Sequence, residues 1–321
     1  MTVDGILFDV DDTLVDTKGA FARALEAVRA EHLPHVPAER DPEILSHWRT
    51  DPGGFYSRYT RGEMDHVTQR RHRAALLHET FGAAPVTVTS FEAWDALFWG
   101  TFERSWAAHD DARAAIDAVL AAGLRVGVVT NAATELQERK LKAAGLGDLP
   151  VLVGVDTLGF GKPDPRVFLE GARKLGTEPS RTAYVGDEPT VDALAAHEAG
   201  LTGVWLDRAG HRRGPGYAGH ALPGSGLPGS GLSDAALSGA LASGTGQPGI
   251  GQPEPAQPGL AQPGPAEPGP AEPGLAQPGP AEPNAAQRAV LRGDPQNPEA
   301  LRAAGVVVVE TLAELPAALG Y

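Results

Sequence analysis

Apolar residues recur along this chain in short runs, at Val3 to Phe8, Leu124 to Val129, Val151 to Val155, Thr182 to Val185, Gly203 to Leu206 and Gly305 to Val309. Segments with helical periodicity lie between them, the pattern of a parallel sheet flanked by helices. Strands are therefore predicted near 3–9, 124–130, 151–155, 182–186, 203–206 and 305–309, with helices near 111–122, 133–144, 165–175 and 189–199. Gly123, Gly145, Gly200 and Gly305 each close a helical stretch ahead of an apolar run, where a left-handed cap belongs. Pro165 suits the first turn of a helix, where its missing N–H costs nothing. The expected fold is a Rossmann-like α/β core, a parallel sheet with helices on both faces.

Two stretches do not fit a simple alternation of strand and helix. Residues 16–107 show helical periodicity and no convincing strand. Phe21, Leu25 and Val28 share one helix face, and Trp94, Phe98, Phe102 and Trp106 form a second apolar stripe at four-residue spacing. This segment reads as an inserted helical subdomain hinged near Asp16 to Gly19 and Ala107 to Asp110. The stripe reads as helix core rather than as a substrate wall.

Residues 214–287 form the second stretch, where prolines recur every five positions from Pro248 to Pro283 in units such as Ala-Glu-Pro-Gly-Pro. Collagen requires glycine at every third position, so this is no triple helix. With few large apolar side chains the stretch cannot offset its ordering entropy, and a disordered Pro/Gly-rich insertion is expected. Gly305 to Val309 and the periodic Thr311 to Leu319 then return to the core. Closing a loop of about 74 residues rather than about 10 costs only about 2 kcal/mol more. The resulting division is a core of 1–15, 108–213 and 288–321, a helical insertion of 16–107 and the repeat of 214–287.

Composition narrows the function. A net charge of −14 over 321 residues argues against binding nucleic acid or an anionic membrane through bulk electrostatics. The absence of cysteine excludes disulfides and thiolate chemistry. No apolar run reaches the length of a membrane span, and no signal peptide is visible, so a soluble cytoplasmic protein is expected. The ten histidines show no metal-binding spacing and read as surface or core residues.

Four segments carry candidate chemistry. Phe8-Asp9-Val10-Asp11-Asp12-Thr13 sets two carboxylates two residues apart where the first strand ends. Val128-Val129-Thr130-Asn131, Gly161-Lys162-Pro163-Asp164-Pro165 and Val185-Gly186-Asp187-Glu188-Pro189-Thr190-Val191-Asp192 add a hydroxyl, a fixed positive charge and further acids. In an open α/β sheet, ligands bind at the C-terminal ends of the strands. The inventory suits phosphoryl transfer assisted by a divalent cation.

Taken in order, the four segments resemble the four motifs of the haloacid dehalogenase superfamily, and the helical insertion resembles its type-1 cap. The resemblance spans about 3–210 and again 305–321. It implies a phosphatase-like hydrolase in which Asp9 is the nucleophile and forms an aspartyl-phosphate, splitting one displacement into two. Asp11 would protonate the leaving oxygen and then take a proton from water. Its presence favours phosphate chemistry over dehalogenation, because the dehalogenases proper lack this second acid. Thr130 and the backbone N–H of Asn131, at the start of the next helix, would bind the substrate phosphate. Lys162 would offset charge on the nucleophile and the phosphoryl group. Asp9, Asp187 and Asp192 would hold Mg²⁺ together with the backbone carbonyl of Asp11, Asp192 in some members acting through water.

Each residue also has a plainer reading. An aspartate at a strand end often caps a turn, a threonine there caps a helix, and a lysine is usually solvated; only their joint occurrence outweighs this. Thr13 and Asp164 read as turn residues, and Glu188 as a neighbour of the site. Arg58 and Arg61, in the aromatic stretch His47 to Gly62, are candidates for contact with an anionic substrate against the simpler reading as solvated surface. The substrate class is a small phosphorylated metabolite. The alternatives are a phosphomutase on the same scaffold, and a proline-rich loop that recruits protein partners as extended ligands do.

Overall fold

The computed structural model describes residues 3–60, 63–209, 288, 290 and 293–321. The insertion expected at 214–287 and Arg61 lie outside the described residues.

Six strands form one parallel sheet: β1 (Gly5–Phe8), β2 (Arg125–Val129), β3 (Val151–Val153), β4 (Thr182–Gly186), β5 (Thr202–Leu206) and β6 (Val307–Val309). Their order is β3-β2-β1-β4-β5-β6. The chain runs outward from β1 to β3 and then returns to the other side of β1 with β4. The order therefore reverses between β1 and β4, and a ligand crevice belongs at their C-terminal ends. All six expected strands are present, most a little shorter than their apolar runs.

Alternation of side chains builds both faces of the sheet. Ile6 and Phe8 of β1 point into one core with Val126, Val128, Val185 and Val204. Leu7 points into the other with Val129, Val153 and Tyr184. Strands buried on both faces must be apolar throughout, which is why the runs were continuous.

Among the described residues the segment 16–107 after β1 carries five α-helices: α1 (Thr17–His32), α2 (Asp41–Thr50), α3 (Phe55–Thr60), α4 (His66–Thr80) and α5 (Val88–Arg104). They enclose an apolar cluster of their own, in which Leu25 and Val28 meet Trp48, Trp94, Phe98 and Phe102. Phe21 stacks on Phe102 with ring centroids 4.5 Å apart. The Trp94 to Trp106 stripe is buried core, as its spacing implied. The chain enters and leaves this segment side by side, with Asp16 N donating to Ala107 O and His109 N to Leu14 O, both at 2.9 Å.

The sheet is flanked by α6 (Ala112–Ala121), α7 (Thr134–Ala143), a short α8 (Val155–Leu158), α9 (Pro165–Leu175), α10 (Ala195–Glu198), α11 (Pro298–Ala303) and α12 (Leu315–Leu319). Ile116 and Val119 of α6 and Leu315 of α12 cover one face, and Val167 and Phe168 of α9 the other. Gly123, Gly145, Gly200 and Gly305 all take positive φ, between 76° and 96°.

One helix departs from expectation. Pro189–Leu194 forms a π-helical turn, and only Ala195–Glu198 continues as α-helix. Widened turns of this kind concentrate at functional sites, and here the turn carries Asp192. A Cβ at Gly203 of β5 would fall 1.9 Å from the carbonyl oxygen of Ala193. The bare backbone there lets the strand lie against the widened turn. Among the described residues no helix is long and apolar enough to cross a membrane.

Candidate active site

Each chemistry-bearing loop leaves the sheet at its C-terminal edge. Asp9 follows β1, Thr130 follows β2 and Asp187 follows β4, so parallel pairing of β1 with both β2 and β4 carries all three to one rim. Lys162 reaches the same place from the loop before α9. Its ammonium donates to Asp9 Oδ1 at 2.8 Å, to Asp192 Oδ1 at 2.7 Å and to the Tyr184 hydroxyl at 2.8 Å. The three N–H donors of the ammonium are thus matched by three acceptors.

The carboxylates of Asp9, Asp187 and Asp192 offer oxygens that all lie within 4.8 Å of one another. Burial pushes Asp9 up to about 7, with the nearby Asp192 and Asp11 adding to the rise and Lys162 opposing it. Asp187 is pushed well above the usual carboxylate range by burial and then by Glu188, Asp12, Asp192 and Asp9. Lys162 is raised as well, here because its acidic partners outweigh burial and hold the ammonium well above its ordinary value. With all three acids ionised and the lysine charged, the shielded site would carry two negative charges, and the raised Asp9 and Asp187 reflect the cost of that state without a cation. A divalent cation fits that deficit, and oxygen donors are what Mg²⁺ prefers.

Asp192 is the most constrained of the three. Oδ1 takes the Lys162 ammonium and Oδ2 takes the backbone N–H of Glu188 at 3.0 Å. A Cβ at Gly186 would fall 2.3 Å from Asp192 Oδ2, so glycine makes room for this carboxylate.

Asp11 does not join the cluster through its side chain. Oδ1 accepts from Thr17 Oγ1 at 2.6 Å and from Lys140 Nζ at 2.5 Å, and Oδ2 accepts from Gln137 Nε2 at 2.8 Å. Burial raises the carboxyl, but the Lys140 ammonium and the hydrogen bonds from Lys140, Thr17 and Gln137 outweigh it and hold Asp11 below the usual range. In this arrangement Asp11 is an anion.

Thr130 is buried, and its Oγ1 accepts from Gln137 Nε2 at 3.1 Å and Ala132 N at 3.2 Å, leaving its proton to donate. Asn131 stands in the bend before α7 rather than at the helix start, which comes three residues later at Thr134. That helix end is already engaged, since Thr134 N donates to Asp156 Oδ1 at 3.0 Å. The Asn131 side chain instead clamps the lysine loop. Its Oδ1 accepts from Lys162 N at 2.6 Å and its Nδ2 donates to Lys162 O at 2.9 Å.

The remaining candidates are local. Asp164 caps α9 by accepting from Arg166 N at 3.0 Å. Thr13 is buried, and its carbonyl accepts from Arg208 Nη2 at 3.0 Å. Arg58 pairs with Glu63 at 3.7 Å on the surface. Asp12, Asp16 and His109 form a second close grouping. Asp12 there already accepts from Lys18 N and faces Arg49 at 3.3 Å, while Asp16 accepts from Gly19 N.

Sequence reasoning missed three side chains that touch the site: Tyr184, Gln137 and Lys140. Tyr184 sits inside an apolar run and reads as core. Lys140 stands in the charged stretch Glu138-Arg139-Lys140-Leu141-Lys142, which reads as a solvated face. The available signal was spacing, because Gln137, Lys140 and Leu141 fall on one face of α7 and are buried together.

Fold and site together define a Rossmann-like α/β protein whose acidic centre opens where the strand order reverses. The model of the haloacid dehalogenase-like hydrolases matches residues 3–200, and the chain belongs to that family of enzymes. It is 30% identical over 229 residues to the phosphoserine phosphatase of Thermus thermophilus, covering 63% of this chain and 88% of the relative. To the phosphoglycolate phosphatase of Yersinia pseudotuberculosis it is 27% identical over 205 residues, 64% of this chain and 81% of the relative. The HAD-hydrolase YfnB of Bacillus subtilis, solved bound to magnesium, shares the fold with a TM-score of 0.51 and 23% identity, over 64% of this chain and 89% of that one.

Proposed function

We propose that the protein is a Mg²⁺-dependent phosphatase of small phosphomonoesters that works through an aspartyl-phosphate on Asp9. The observation that carries this reading is the buried junction of Lys162 with Asp9 and Asp192, beside Asp187. Names borne by relatives, phosphoserine phosphatase and phosphoglycolate phosphatase, support the substrate class.

In this reading an Asp9 oxygen attacks phosphorus and the bond to the leaving oxygen breaks, that oxygen taking its proton from Asp11. Water then attacks the aspartyl-phosphate, gives its proton to Asp11, and releases phosphate with Asp9 restored. The anionic Asp11 of the present arrangement suits the second half; the first half requires it to take up a proton against the pull of Lys140. Thr130 Oγ1 and the N–H of Asn131 donate to phosphate oxygens, and Lys162 offsets the charge that gathers as two anions meet. Asp9, Asp187 and Asp192 would hold the cation with the Asp11 carbonyl; when bound it supplies charge stabilisation for the transferring phosphoryl group. Helices α1 to α5 form the cap over the site, where contacts select the substrate.

The test is release of phosphate from p-nitrophenyl phosphate in the presence of Mg²⁺. Turnover lost on chelation and in Asp9→Asn supports the proposal. Turnover that survives both overturns it.

A further inference from the structure

Among the described residues, two of the three side chains that donate to Asp11 come from one side of one helix, α7; the third is Thr17 of α1. Gln137 and Lys140 lie a single turn apart on α7, and both are almost fully buried, at 0% and 3% exposure. Gln137 Nε2 bridges two site residues, donating to Asp11 Oδ2 at 2.8 Å and to Thr130 Oγ1 at 3.1 Å. Lys140 Nζ meets Asp11 Oδ1 and lies 5.8 Å and 5.6 Å from the ring centres of Phe102 and Trp106. A lysine buried this deeply against aromatic rings needs a carboxylate partner, and Asp11 is that partner. Asp11 in turn follows a strand end, and Thr17 is its one side-chain donor close in sequence among the described residues.

We propose that Gln137 and Lys140 are positioning residues for the proposed phosphatase reaction. Gln137 ties the carboxylate of Asp11 to the hydroxyl of Thr130, and Lys140 holds the same carboxylate from its other oxygen. The pair fixes the distance between the group that exchanges protons and the group that binds phosphate. α7 thereby couples the loops after β1 and β2. The inference rests on the phosphatase reading and adds to it two side chains that act through Asp11.

The test is a double-mutant cycle on the full chain, with p-nitrophenyl phosphate and Mg²⁺ as the assay. Lys140→Met keeps the packing of the stem and removes the charge. It is expected to lower kcat about tenfold or more, with KM within about threefold, because positioned acid–base groups contribute factors of this size or larger. Lys140→Arg should recover part of the loss. In an Asp11→Asn background, Lys140→Met should lower kcat by less than about twofold, since the group it positions is already gone. Gln137→Met is run through the same cycle and decides the matter if Lys140→Met does not fold. Equal fold losses in both backgrounds, or an unchanged kcat, overturn the pair while leaving the phosphatase reading intact. Wild-type protein with no more turnover than Asp9→Asn overturns that reading itself.

Discussion

Lys162 and Asp9 stand 153 residues apart in the chain, yet the ammonium of one lies 2.8 Å from a carboxylate oxygen of the other in a buried site. The contact depends on a β1 that ends at Phe8 and on a loop clamped through Asn131. Removing the ammonium leaves two buried acids, Asp9 and Asp192, without their cation. Lys162→Met is expected to destabilise the metal-free protein by about 3 kcal/mol and to lower kcat roughly a hundredfold or more. Thermal unfolding in chelator and steady-state kinetics check both; an unchanged unfolding temperature would show that the ion pair contributes nothing to the fold.

The raised Asp9 makes stability depend on pH. Between about pH 4 and 7 the folded protein keeps on Asp9 a proton that the unfolded chain has released. Through Asp9 the folded state binds more protons in that window, so the contribution of Asp9 to stability falls as pH rises through it and levels off above about 7. Mg²⁺ favours the ionised carboxylates and should reduce the decline. Unfolding temperatures recorded across this range, in chelator and in excess Mg²⁺, are expected to diverge as pH rises. Parallel curves would contradict the assignment of the acids to a cation site.

Tyr184 accepts from Lys162 and donates to Val129 O at 3.0 Å, just before Thr130. Tyr184→Phe removes one acceptor for the ammonium and leaves the Val129 carbonyl without its donor, with little change in volume. A loss of about 1 to 2 kcal/mol in stability, with lower kcat and little change in KM, is the expected outcome by denaturant unfolding and kinetics.

Gly186→Ala places a methyl group where the Asp192 carboxylate lies. The carboxylate must move, and the concentration of Mg²⁺ needed for half-maximal activity is expected to rise about tenfold or more, as displaced supporting groups do to metal sites. Metal titration of activity reads this directly.

What the sequence disclosed followed from where apolar runs stop. β1, β2 and β4 are buried on both faces and must be apolar, so the first polar residues beyond them, Asp9, Thr130 and Asp187, stood out. Lys162 was legible only through Gly161 and Pro163 around it, because a lysine alone says nothing about burial. Gln137 and Lys140 were hidden because residue type suggested solvent, whereas a charged partner in the fold allowed burial. Tyr184 was hidden for the converse reason, since a hydroxyl inside an apolar strand looks like packing. The π-turn at Pro189–Leu194 is not legible in the sequence because its apolar residues fit an ordinary helical period; the widening lies in the backbone, where Ala193 N donates to Glu188 O, five residues back, at 3.4 Å.

The most direct test is to quench the protein in acid during turnover of a phosphomonoester with Mg²⁺ and to locate the phosphoryl group by mass spectrometry. A phosphoryl group on Asp9, absent from Asp9→Asn, is the expected result. Phosphate release from wild type with the group on another residue, or undiminished release by Asp9→Asn, would contradict it.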